Sequence, residues 1–331
     1  MKYYTKASSD DTETTREREH RQIAFNAAVE GIVLLENSHD TLPIRPEPVA
    51  LFGSGACFTI KGGTGSGEVN ERGSVTIAEG LEAAGFTITS RDWLDDHKRQ
   101  YHEKLAQFKK EQARKSRTLS IKNLMNAMGE SFLPPFGRDI TKEDIRKSST
   151  DTAIYVIARQ AGEGMDRRIE KGENAPAAEE IAHIKQLTEY YRKTIVIINT
   201  GNSLDLSALD DIKGIGALVY FCQQGMEGGN ALAAVLSGRV SPSGRLTATW
   251  PIKYEDIPYA MDYSYLNGNR SDEDYREGLY VGYRYFDSFR VQPRYCFGHG
   301  LSYTRTDIRL TGAANQGSHV TLNIEVANQG D

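Results

Sequence analysis

The sequence predicts an α/β protein, a doubly wound and mostly parallel sheet, followed by an incomplete all-β segment. Three observations carry this. Five apolar runs, at residues 49–52, 86–89, 153–157, 194–198 and 217–221, are continuous rather than alternating. Strands covered by helices on both faces read this way, because neither side meets water. Helical patterns lie between them at 75–84, 178–191 and 229–236, and such alternation signals parallel strands joined by helical crossovers. Beyond residue 300 the period becomes two: Val320, Leu322, Ile324 and Val326 alternate with Thr321, Asn323 and Glu325, the pattern of a strand with one buried face.

In chain order, residues 1–16 are polar and expected to be disordered. A helix is expected over 15–29, with Ile23, Phe25, Ala27, Ala28 and Val29 on or near its buried side. Gly31 breaks it, and 32–35 read as a short strand. Between about 92 and 147 an insertion interrupts the alternation. Within it, 98–130 look helical and strongly charged, and Phe132, Leu133, Pro134, Pro135 and Phe136 form a rigid loop. The basic run at 109–117 reads as a solvated helix face rather than a binding patch. After Leu236 a turn at 241–246 leads into Thr247, Ala248, Thr249, Trp250 and Pro251. Residues 252–299, rich in Tyr, Asp, Arg and Gly, read as an irregular linker packed over the sheet domain. About 30 residues of the β unit follow, where a β-sandwich needs roughly 100, so an unpaired edge is expected around 320–326. The expected division is a tail (1–16), a sheet domain (17–250), a linker (251–300) and the start of a β domain (301–331).

Composition narrows the function. A chain of 331 residues suggests about two domains. Hydrophobic content of 39% and charged content of 26% suit a soluble globular protein. A net charge of −5 gives no basic footprint for nucleic acid. No stretch approaches the length of a membrane span, and the N-terminus has no apolar core of a signal peptide. Cys57, Cys222 and Cys296 are far apart and odd in number, which reads as reduced, mostly buried thiols in a cytoplasmic protein. No metal-ligand spacing is present, and no cofactor is expected.

Four segments are candidates for chemistry. The apolar run at 152–158 ends in Arg159, Gln160, Ala161, Gly162, Glu163, Gly164, Met165, Asp166 and Arg167. A buried strand ending in Gly-Glu-Gly puts a carboxylate on a loop at the carboxyl edge of the sheet, where open α/β sheets bind ligands; glycine on both sides lets the backbone turn tightly. A lone loop Glu is more commonly a solvated charge. The second segment, 60–70, contains Lys61, Gly62, Gly63, Thr64, Gly65, Ser66, Gly67 and Glu68. It lacks the Gly-Lys-Ser/Thr ending of a P-loop and the context of a dinucleotide fingerprint. It reads as a loop offering backbone amides, Lys61 and Ser66 to a polar neutral ligand, or as a mobile surface loop. In the third, Gly225 to Asn230, Glu227 is placed either near a ligand or at a helix N-terminus as a structural acid. The fourth, 275–303, mixes aromatics with Gly, Arg and carboxylates; anchoring of the linker is favoured there over carbohydrate binding.

These segments, in this order, resemble glycoside hydrolase family 3, the β-glucosidase-like enzymes. The matching residues are 30–35 with 42–44, 61–70, 162–167, 225–231, 241–246, 281–286 and 297–304. The resemblance implies an α/β sandwich followed by the start of a fibronectin type III-like domain, with the family's (β/α)8-like barrel absent and expected downstream in cis or from a separate polypeptide in trans. It implies Glu163 as general acid/base and a small-molecule β-glycoside as substrate, with a β-glucoside the best guess. Lys61, Gly63, Thr64, Ser66 and Glu68 would line the outer sugar pocket, and Asp166 and Arg167 would pair to hold the loop. The nucleophile has no counterpart in these residues, so the chain alone should not turn over glycosides. Two other readings stay open: a non-catalytic carbohydrate-binding or scaffold module, and a flavodoxin-like phosphate or nucleotide binder using residues 61–67.

Overall fold

The computed structural model describes residues 12–64, 71–116, 132–162, 167–262, 271–272 and 274–330. At its centre lies a six-stranded sheet of β1 (Val33–Asn37), β2 (Pro48–Phe52), β3 (Thr87–Ile88), β4 (Thr152–Ala158), β5 (Lys193–Asn199) and β6 (Ile215–Tyr220), in the order β1-β6-β5-β4-β2-β3. The five strands from β2 to β6 are parallel, and β1 is antiparallel at the edge. Their side chains form the core: Val49, Leu51, Ile154, Val156, Ile195 and Ile197 are fully buried. Burial on both faces is why the runs of β2, β4, β5 and β6 carry no polar alternation; the run at 86–89 departs from this, since its strand β3 lies at the sheet edge with Thr87 exposed and Ile88 buried.

Helices cover both faces. On one lie α1 (Thr15–Gly31), α2 (Ile77–Ala83) and α6 (Gly228–Leu236). A Cβ at Gly80 would meet the Gly229 backbone at 2.1 Å, and one at Gly229 the Thr76 carbonyl oxygen at 2.0 Å, so glycine at both positions lets α2 and α6 pack backbone to backbone. The other face carries α3 (Arg91–Ser116) and α5 (Ala178–Tyr190), joined through Trp93 and His183, whose rings meet edge-on at 6.2 Å. Capping boxes fix several starts, Thr14 with Glu17 for α1 and Thr76 with Glu79 for α2.

Several expectations need correction. Thr15 and Arg16, assigned to the tail of residues 1–16, belong to α1. The insertion is helical from Arg91, earlier than expected, and holds a further helix, α4 (Lys142–Ser148), capped by Thr141; residues 117–131 lie outside the described residues. The linker is not irregular throughout: β7 (Trp250–Pro251) pairs with β8 (Pro293–Tyr295), and α7 (Tyr283–Phe289) precedes β8. It is stitched to the β1 edge by Leu301 N–H to the Leu34 carbonyl (2.8 Å) and by the His299 ring against the Leu35 carbonyl (2.9 Å).

The β unit is one antiparallel hairpin, β9 (Thr306–Asn315) with β10 (Val320–Asn328). Ile308 pairs with Val326 and Leu310 with Ile324, so the apolar residues share one face. Ile308, Leu310, Val320, Leu322, Ile324 and Val326 are all at least 53% exposed. The alternation is that of a half-buried strand, and among the described residues nothing covers its apolar side. No described helix is long and apolar enough to cross a membrane.

Candidate functional site

From β2 the chain runs outward to β3, then returns past β2 to β4 on its other side. The loops leaving the carboxyl ends of β2 and β4 therefore diverge at a topological switch point, where open α/β sheets form their ligand crevice. Here those loops are the glycine-rich one, residues 53–64, and the segment from Arg159 to Gly162.

They are tied together along their backbones. Thr64 N–H donates to the Ala161 carbonyl (3.2 Å), Gln160 Nε2 to the Gly62 carbonyl (3.0 Å), and Thr64 forms a parallel bridge with Gly162. A Cβ at Gly162 would lie 2.3 Å from the Thr64 hydroxyl oxygen, so this close pass selects glycine just before Glu163.

Asn199, the last residue of β5, is the buried anchor beneath. Its amide oxygen accepts from Ile60 N–H (2.7 Å), while Nδ2 donates to the Ile60 carbonyl (2.8 Å) and to the Cys222 carbonyl (2.7 Å). One side chain thus satisfies backbone groups from two loops that have no ladder partners there. The Lys61 carbonyl in turn accepts from Gly225 N–H at 3.1 Å.

The Arg159 guanidinium bonds both oxygens of Glu180, and both side chains are at most 4% exposed. Glu180 also accepts from Ala177 N–H (2.8 Å) at the start of α5. Phe136 packs over the guanidinium at 5.2 Å. On the other side, Phe58 stacks on Tyr101 of α3 (3.6 Å between centroids, 13° between planes) and meets His102 edge-on at 5.7 Å. The insertion therefore touches the roots of both loops, through Phe136 at Arg159 and through Tyr101 at Phe58.

Of the expected site residues, Lys61 is ion-paired with Glu71, so its charge is already engaged. Gly63 and Thr64 lie along residues 161–162. Arg167 donates to the Thr200 hydroxyl (2.9 Å) and the Ser203 carbonyl (2.9 Å); burial pulls its guanidinium below the usual arginine range. Glu163, Ser66, Glu68 and Asp166, the expected partner of Arg167, lie outside the described residues. Glu227 is the structural acid of its two readings: it is buried and accepts from Arg21 (2.7 Å) and Asn230 (2.7 Å) where α6 begins. The aromatics at 275–303 divide. Phe286 and Tyr295 are buried, but Tyr275 is 90% exposed, and Tyr283, Phe289 and Phe297 are also exposed.

Sequence reasoning missed Asn199, the Arg159–Glu180 pair and the grip of the insertion. The available signal was a polar residue ending each of two apolar strands, Arg159 after β4 and Asn199 on β5. Glu180 gave another, since it stands among the apolar positions of its helix. Among the described residues, no cluster of three or more His, Cys, Asp or Glu is placed to hold a metal ion.

The family description "Glycosyl hydrolase family 3 C-terminal domain" matches residues 32–283. Beta-glucosidase A of Butyrivibrio fibrisolvens is 32% identical over 319 residues, covering 88% of this chain and 36% of that protein. A beta-glucosidase of Ruminococcus albus is 32% identical over 306 residues, covering 89% of this chain and 29% of that protein. The chain thus spans a minor part of the length of these relatives. Among solved structures, beta-glucosidase 3B from Thermotoga neapolitana in complex with alpha-D-glucose superposes with a TM-score of 0.78 at 30% identity, over 96% of this chain and 43% of that one.

Proposed function

Since this chain belongs to glycosyl hydrolase family 3 through its C-terminal domain, we propose that it supplies the acid/base side of a retaining β-glycosidase. The observation that carries the reading is the pairing of Thr64 with Gly162 at the switch point. It brings the glycine-rich loop against the residue immediately before Glu163 in the chain.

In a retaining mechanism two carboxyl groups stand about 5–5.5 Å apart, one as nucleophile and one as acid/base. Glu163 takes the second role. It protonates the departing glycosidic oxygen, then removes a proton from the water that releases the sugar. Burial and the charge of the nucleophile favour its protonated form in the assembled site. The nucleophile comes from a (β/α)8-like barrel, joined downstream or supplied by a second polypeptide. Gly63, Thr64 and Ser66, with Lys61 and Glu68, border the outer part of the sugar pocket, and Asp166 and Arg167 hold the far end of the loop. A terminal β-D-glucoside is the substrate, supported by the names of the relatives. The cytoplasm is the compartment, supported by three unpaired thiols, which are not mostly buried as expected: Cys57 and Cys222 are half-buried and Cys296 is exposed.

The test joins the chain to a family barrel and measures hydrolysis of cellobiose. The chain alone is expected to give no turnover and the assembled protein to give turnover. Turnover by the chain alone, or none from a folded assembly, would overturn the proposal.

A further inference from the structure

At the carboxyl ends of β5 and β6, beside the switch-point crevice, lies a second concavity of about 310 Å³ that the proposed chemistry does not use. Its lining combines aromatic and polar groups. Tyr220 and Tyr254, both half-buried, supply the aromatic rings, and Tyr220 is backed by the buried Trp250, packed edge-on against it at 4.9 Å between centroids. Arg167, Asn202 and Asp205 supply the polar groups.

These groups are fixed before any ligand arrives. Asp205 accepts from the Ser207 N–H (2.9 Å) and hydroxyl (2.6 Å) through one oxygen, and from Tyr254 N–H (3.2 Å) through the other. Tyr254 is therefore held to the loop after β5. Arg167 is held to the same loop through Thr200 and Ser203. Preorganised groups of this kind lose little freedom when they bind.

The mixture narrows the ligand to a neutral molecule that is part apolar and part polar. An apolar guest would strip water from a guanidinium, a carboxylate and an amide with nothing in exchange. An anion would meet Asp205 as well as Arg167, and the two formal charges cancel. A sugar ring presents both what the aromatic rings take, a face of C–H groups, and what the polar groups take, a rim of hydroxyls. The volume is at the small end for ligand pockets, which suits a monosaccharide or the end of an oligosaccharide.

We infer that this concavity is a second carbohydrate site, separate from the crevice flanked by Gly62–Thr64 and Gln160–Gly162, that takes a neutral pyranose. Only the choice of sugar as ligand rests on the glycosidase reading. A sugar here touches Arg167, four residues after Glu163 in the chain.

The test is calorimetric titration of the 331-residue chain, without any barrel, with glucose and with cellobiose. It needs no turnover, so its failure is separate from failure of the proposed activity. Saturable binding is expected, weakened about fivefold or more by Asn202→Ala, which removes a group that hydrogen-bonds hydroxyls. Asn202 is exposed, so its replacement leaves the fold intact. Lys61→Ala, in the crevice, is expected to change the affinity less than about twofold. Absence of saturable heat with both sugars up to about 100 mM overturns the inference. So does affinity that survives Asn202→Ala, or affinity lost with Lys61→Ala.

Discussion

Replacing Arg159 by leucine tests how the candidate acid/base segment is held. The Glu180 side chain is 0% exposed and that of Arg159 4%. Without the guanidinium, the Ala177 N–H still donates to a carboxylate that cannot reach water. Leaving a buried charge unpaired costs about 3–5 kcal/mol. Loss of the cation–π contact with Phe136 adds about 0.5–2 kcal/mol. At roughly 2–4 °C per kcal/mol for a domain of this size, a combined loss of about 3.5–7 kcal/mol should lower the melting temperature by roughly 7–28 °C. Because the penalty is that of an orphaned charge, the double change Arg159→Leu with Glu180→Leu should return to within about 1–2 kcal/mol of the parent. Urea denaturation followed by circular dichroism measures both. Amide exchange at 160–162 should quicken in the single variant, since its neighbour no longer pins that segment. A single variant that loses under about 1 kcal/mol, or a double variant as unstable as the summed singles, refutes the reasoning.

Other consequences follow the same physics. Asn199→Leu leaves Ile60 N–H, the Ile60 carbonyl and the Cys222 carbonyl without their buried partner; at about 1–3 kcal/mol per orphaned group it should destabilise strongly and speed amide exchange at 60–64. Gly229→Ala puts a methyl 2.0 Å from the Thr76 carbonyl oxygen; α2 and α6 must part, and thermal melting should show a loss of at least about 1–3 kcal/mol, the usual range for overpacking. Burial pulls the His97 imidazole down to about 4, against a modest opposing pull from Asp96. The folded value lies below the ordinary 6.5, so stability is full above that pH and falls as pH drops through about 4; His97→Phe should flatten this part of an acid titration. Asp144 behaves similarly lower down. Burial raises its carboxyl, but hydrogen bonds from Arg138 and Thr141 outweigh this and bring it to about 2. Its contribution is present above about 4 and is lost as pH falls toward 2, which Asp144→Asn should remove from the acid-unfolding curve.

Much of the architecture was legible because strand burial writes itself locally. Residues 49–52, 153–157 and 195–198 are apolar without interruption since helices cover both faces, and no partner need be known to read them. The antiparallel setting of β1 was not legible: Val33 pairs with Tyr220, far along the chain, and nothing in the short run at 32–35 specifies direction. Helix α4 was hidden in a charged insertion, where no apolar stripe marks seven residues started by a Thr141 cap. The site divides in the same way. Glycines at 62, 63 and 162 announce tight turns in the sequence. Asn199 and the Arg159–Glu180 pair act across long stretches of chain, so their partners emerge only once the sheet is assembled. The linker misled for a further reason: composition does not show which aromatics face inward, and Tyr275 and Phe297 are exposed while Tyr295 is buried.

The proposed activity turns on whether the residue following Gly162 moves the proton. The direct measurement is cellobiose hydrolysis by the chain joined to a barrel, with Glu163 and with Glu163→Gln. A natural disaccharide is required, because an activated aryl leaving group departs with little acid help. Loss of a general acid/base contribution of about 10²–10⁴-fold in kcat, with the fold intact, is the expected result. Turnover of cellobiose within about twofold of the parent would contradict it.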